Sequence, residues 1–198
     1  MIMNGIDPRN ILLMTFTNKA ANEIKERIIK VVGKEGEKIT VGTCHSVCNR
    51  ILRQYGEAIG YCKTFTILSE DDSEKIIKKA AKQYGLESKD LKYYISLWKA
   101  KGWTTSEAMN NCNNSESDFA NAYEVYQNEL KRTQCMDFDD LLLNTVLLLE
   151  NHSDIKKAVN NKWKYLAQDE CQDMSDLDDK LMYLLAGEEQ NVFFVGDL

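Results

Sequence analysis

The stretch "NILLMTFTNKAANEIKERIIKVVG", residues 10–33, decides the fold. Residues 10–17 form an apolar run without alternation, the pattern of a strand covered on both faces in a parallel sheet. Directly behind it, Asn18 can cap a helix, Ala21, Ile24, Ile28 and Val31 or Val32 recur at helical spacing, and Gly33 can end it. "KITVGTCH", residues 38–45, then reads as a second strand, and "SVCNRILRQYG" as a second helix from Ser46 to Gly56. Two β-to-α units in succession predict parallel strands joined by right-handed crossovers.

Working outward, the period changes near residue 69. "SEDDSEKIIKKAAKQYG", "SKDLKYYISLWKAKG", "TSEAMNNC" and "SDFANAYEVYQNELKRTQC" read as helices with Ser or Thr starts and Gly or polar stops, and nothing there reads as a strand. "MDFDDLLLNTVLLLEN" continues as a helix capped by Asp137, with Asp139 and Asp140 in a first turn where the helix dipole favours carboxylates; this acidic cluster reads as structural. The α/β pattern resumes with "KYLAQDE" as a strand, "SDLDDKLMYLLAG" as a helix from Ser175 or Asp176 to Gly187, and "NVFFVGD" as an apolar strand. A helical block therefore sits inside an α/β domain.

The composition agrees. In 198 residues, 43% hydrophobic content is ample for a core, and the single proline, Pro8, favours long helices. No signal peptide or uncharged apolar run of membrane-spanning length occurs, which reads as a cytoplasmic chain without a membrane partner. The six cysteines form no C-x-x-C pair. Cys44, His45 and Cys48 tempt a metal assignment, but no fourth ligand is evident, and small buried thiols explain them better. The net charge of −6 hides a gradient: residues 1–60 carry 9 basic and 6 acidic groups, residues 136–198 carry 5 and 14. A polyanion on one surface and a metal on another are both permitted.

"TFTNKAA" and "GTCHS" share a design in which a strand ends in a hydroxyl or His residue and a helix begins, gathering amides and hydroxyls at the carboxyl edge where open α/β sheets bind ligands. Phe16 with Lys19 offers an aromatic face beside a cation, a means of holding single-stranded nucleic acid, although an apolar residue at a strand end is more often core. In "LAQDECQD", residues 166–173, Asp169 and Glu170 sit together where an apolar strand surfaces, with Asp173 following. One carboxylate can anchor magnesium while its neighbour polarises a water; a polar turn is the plainer alternative.

Together these segments resemble the UvrD, PcrA and Rep family of superfamily 1 DNA helicases over nearly the whole chain. "LLMTFTNKAANEIKERI" is similar to the family's motif Ia and "VGTCHSVCNRILR" to its motif Ib, usually T-F-H-S-F. "YQNELKRTQCMDFDDLL" is similar to the segment leading back from its helical insertion, "LAQDECQD" to motif II, usually V-D-E-Y/F-Q-D, and "VFFVGD" to the opening of motif III.

The resemblance implies a partial P-loop NTPase motor subdomain, 1A, at residues 1–60 and 152–198, with an all-helical insertion, 1B, at 61–151. It implies that Asp169 holds the magnesium of ATP, that Glu170 activates water, and that Gln172 and Asp173 couple the nucleotide site to its surroundings. Phe16, Thr17, Asn18, Lys19, Thr43 and His45 would face single-stranded DNA, and duplex DNA would be unwound with 3′ to 5′ polarity. Three positions depart from the pattern: Cys44 replaces a Phe, Gln168 stands where an apolar residue precedes the acids, and Cys171 replaces an aromatic.

No G-x-x-x-x-G-K-[ST] phosphate loop occurs, and the family places it upstream of motif Ia, where only ten residues stand. The arginine-bearing second motor domain is missing too. The expectation is a piece of an ATP-dependent helicase, inactive alone and binding neither ATP nor Mg2+ by itself. The competing reading is a non-enzymatic module that keeps the DNA-facing surface or binds a protein.

Overall fold

The computed structural model describes residues 1–197, so Leu198, the last residue of the third segment, lies outside the described residues. Its main sheet has four strands: β1 (Ile11–Thr15), β2 (Thr40–Thr43), β5 (Tyr165–Gln168) and β6 (Val192–Phe194), in the order β2-β1-β5-β6. All neighbours are parallel, with Met14 of β1 level with Gly42 on one side and Gln168 on the other. Leu12 and Met14 are completely buried, as the unalternating sequence of β1 requires of a central strand.

Between β1 and β2 runs α1 (Asn18–Val32). Its cap is Thr17 rather than Asn18: the Thr17 backbone is extended, as a cap must be, and its hydroxyl accepts the Ala20 N–H at 3.1 Å. Gly33, at φ 70°, ends the helix, and Val32 rather than Val31 turns inward, Val31 being exposed. The second helix, α2 (Cys44–Tyr55), begins two residues before Ser46, because the Thr43 hydroxyl accepts the Ser46 N–H at 3.2 Å and makes an earlier start available.

The chain forms two compact units, one of residues 1–51 with 146–198 and the other of residues 52–145. The second contains α3 (Glu70–Gln83), α4 (Ser88–Ala100), α5 (Thr105–Asn111) and α6 (Ser117–Arg132) around a core of Ile77, Leu91, Ile95, Trp98, Tyr123 and Tyr126. Ser69 caps α3, and Thr104 with Glu107 forms a capping box on α5. The expectation of an all-helical block needs correction. Two short strands, β3 (Thr66–Ile67) and β4 (Cys135–Met136), pair in parallel there, beyond the reach of periodicity because each spans only two residues.

A polar cluster crosses this second core. Lys99, fully buried, lies 2.6 Å from Asp137 and 2.7 Å from Asp140. Tyr126 donates to Asp137 and Gln127 to Asp140. Asp137 and Asp140 also accept each other's backbone N–H, which caps α7 (Phe138–Asn151), so these acids are structural.

In the first unit, α8 (Ser153–Lys162), which the sequence reading passed over, precedes β5, and α9 (Asp176–Ala186) follows it, with Ser175 and Asp178 as its capping box and Gly187 at its end. The strand expected from "NVFFVGD" is shorter than the apolar run and stands at the sheet edge, with Phe193 and Phe194 exposed.

Candidate functional site

Because the four strands are parallel, their carboxyl ends meet at one edge, and three of them, β1, β2 and β5, end in a candidate residue or just before one. Phe16 follows β1 and is 55% exposed, a costly position for an aromatic ring and unlike the buried residues before it. Thr17, Asn18 and Lys19 follow as the exposed start of α1, with Thr17 committed to capping. Thr43 ends β2 and caps α2, where half-buried His45 is the second residue.

On the other side of β1, β5 ends at Gln168 and the chain turns through Asp169 and Glu170. The Asp169 N–H donates to the Met14 carbonyl at 2.9 Å, so the acid pair is pinned to the same central strand that delivers Phe16. Gln168, unexpected before the acids, is buried and turns its amide onto the Asp169 carbonyl at 2.7 Å. Its polarity serves the turn.

Glu170 adopts φ 56° and ψ 43°, the left-handed region that a side chain with a Cβ enters only at a cost. Such strain persists where the surroundings over-determine it. The surroundings here are Gln172, whose amide nitrogen donates to the Glu170 carboxylate at 2.6 Å and whose amide oxygen accepts the Asp197 N–H at 3.3 Å. Behind them, Cys171 N–H donates to the Val195 carbonyl and Asp173 N–H to the Glu170 carbonyl.

Gly196, which the sequence reading did not single out, packs closely against this turn. A Cβ there would stand 2.5 Å from Gln172 Oε1 and 2.7 Å from Cys171 Sγ, so any larger residue would require these two side chains to shift. A lone Gly-Asp pair after a strand gave no signal of that approach. The small thiol of Cys171 is what Gly196 passes.

The Asp169 carboxylate makes no hydrogen bond or ion pair among the described residues, and Glu170 is exposed beside it. Hard carboxylate oxygens left open by the protein suit magnesium, which keeps most of its waters and takes one or two carboxylates. The Cys44, His45 and Cys48 cluster has a different character. Contact with the Cys48 thiol, then burial, with Asp178 nearby, pushes the Cys44 thiol well above its ordinary value, so it stays neutral. Among the described residues no group of three or more His, Cys, Asp or Glu side chains is arranged to hold a metal, and no helix is long and apolar enough to cross a membrane.

Comparison with known proteins agrees with this geometry. The family model for the UvrD/REP helicase N-terminal domain matches residues 1–198. The chain is 37% identical over 97% of its length to the ATP-dependent DNA helicase PcrA of Staphylococcus aureus strain Mu50. It is equally similar to the PcrA of Staphylococcus epidermidis strain ATCC 12228. It spans 27% of the length of each relative. With its whole length matched by the family model and its acid pair, strand ends and helix starts on one sheet edge, the chain belongs to the UvrD/REP helicase N-terminal domain family.

Proposed function

We propose that these residues are the part of an ATP-driven DNA helicase motor in which single-stranded DNA and nucleotide are read from one sheet edge. The observation that supports this best is the Asp169–Met14 hydrogen bond, which ties the turn of the acid pair to the strand that ends in exposed Phe16. In this reading the unit of residues 1–51 and 146–198 belongs to the motor subdomain 1A, and that of 52–145 to the 1B insertion.

Asp169 would hold magnesium, which when bound with ATP supplies charge neutralisation at the phosphates. Glu170 accepts the proton of the attacking water at its free carboxylate oxygen, while Gln172 fixes the other oxygen and relays its position to the backbone at Asp197. Phe16 stacks on a base, and Lys19, Asn18, Thr17, Thr43 and His45 line the path of the strand, with 3′ to 5′ polarity. Asp173 supports the turn through its N–H on the Glu170 carbonyl.

The 198 residues contain no phosphate loop, so alone they lack the backbone cradle and lysine that nucleotide binding requires. The chain by itself then gives no ATP hydrolysis above buffer and no saturable binding of magnesium ATP by calorimetry. Joined to a phosphate loop and a second motor domain it turns over, and Glu170→Gln there keeps ATP binding but stops hydrolysis. Hydrolysis by the chain alone that Glu170→Gln abolishes would overturn the reading.

A further inference from the structure

A small chamber lies within the first unit, lined by Thr15, Thr43 and Asp178 and, on its larger apolar part, by Phe16, Met174 and Met182 among others. Thr15 is 1% exposed, and its hydroxyl oxygen, buried, has no hydrogen-bond partner among the described residues. Buried polar atoms are normally satisfied, so an orphan at a cavity wall points to a ligand in the cavity. The chamber measures about 60 Å3, and a single water needs about 10–15 Å3 on that scale. A base or a phosphate is far too large for it. Its wall is largely apolar, but the buried Thr15 hydroxyl shares it with the Thr43 hydroxyl and the Asp178 carboxylate, polar groups of the kind that hold a buried water.

The place of the chamber gives that water a consequence. Thr15 stands level with Thr43 across β1 and β2, and its neighbour Met14 accepts the Asp169 N–H. Gln168, on the same wall, donates to the Asp169 carbonyl. We propose that Thr15 is a positioning residue acting through water in this chamber, which ties the end of β5 and its acid pair to the end of β1 beside Phe16 and to the helix start that carries His45. The proposal rests on Asp169 and Glu170 being the nucleotide-side acids, but it can fail independently, because its test uses neither nucleotide nor DNA.

The test is solution NMR of the 198-residue chain with labelled threonine methyls and amides, paired with xenon titration. Wild type shows long-lived water cross-peaks to the Thr15 methyl and excludes xenon. Thr15→Val, equal in shape but without the hydroxyl, loses the water and shifts the Asp169 and Glu170 amide resonances. Thr15→Ser, which keeps the hydroxyl, leaves those two resonances at their wild-type positions. Xenon entering the wild-type chamber overturns the proposal, as do acid-pair resonances that Thr15→Val leaves unmoved or that Thr15→Ser moves equally. Should Thr15→Val fail to fold, the wild-type xenon and water measurements and Thr15→Ser decide the matter.

Discussion

Glu170 holds a left-handed backbone that Asn or Gly would hold more cheaply, and its side chain is one of the two acids at the strand end. Strain of this kind costs stability, and the role proposed for Glu170 gives a reason for keeping it. Glu170→Gly should therefore raise stability by about 0.5–1 kcal/mol in urea unfolding, the relief at φ 56° exceeding the added freedom of the unfolded chain. Loss of stability would mean that the Gln172 contact outweighs the strain. Lys99 presents the opposite case, a charge placed where only structure benefits. Burial opposes its ionisation, but the Asp140 and Asp137 carboxylates hold it charged above the ordinary lysine range. Lys99→Met should cost about 3–5 kcal/mol, since two buried carboxylates lose their partner. Burial, with the Asp137 charge, pushes Asp140 from 3.8 up to about 6 against the pull of Lys99. The folded chain thus keeps a proton that the unfolded chain releases. That contribution to stability is complete below about pH 3.8 and lost as pH rises through about 6. For Asp137, burial also opposes ionisation, but Lys99 and Tyr126 outweigh it and hold the carboxyl below its ordinary value; its contribution is therefore lost on the acid side. Between these limits, urea midpoints should fall with rising pH in wild type and fall less in Asp140→Asn. Parallel profiles would remove Asp140 as the titrating group.

At the scale of elements, long periodic segments were legible and short ones were not. The unalternating run of β1, the stripe of α1 and the start of α9 at Ser175 or Asp176 each rest on five or more residues or on a side chain with a fixed role, and the structure has all three. By contrast, β3 and β4 owe their existence to pairing with each other, a tertiary fact that two residues cannot announce. Thr17 and Asn18 are both good cap residues, and only the extended backbone at Thr17 separates them. The acid pair was readable because it interrupts an apolar strand, whereas the Gln172 bridge spans 25 residues and needed coordinates. That bridge gives an element-scale prediction through Gly196. Gly196→Ala forces its Cβ onto Gln172 and Cys171, so the end of the chain should lift from the turn. Amide hydrogen exchange at Cys171, which donates to Val195, should accelerate by about tenfold or more, the loss of roughly 1.4 kcal/mol of local protection. Unchanged protection there would show that the backbone pairing does not depend on the close approach.

On the scale of the whole molecule, the charge gradient along the sequence is folded back on itself, because the basic start and the acidic end of the chain share one unit. On the proposed reading, DNA affinity would come from the local surface at the β1 and β2 strand ends rather than from bulk charge, and it should be weak and salt-sensitive. The measurement that tests the account most directly is titration of an oligothymidylate into the 15N-labelled chain at several salt concentrations. The account predicts amide shifts at Phe16 to Lys19, Thr43 and His45, affinity that falls steeply with salt, and a severalfold loss in Phe16→Ala. Shifts confined to other surfaces, or affinity indifferent both to salt and to Phe16→Ala, would contradict it.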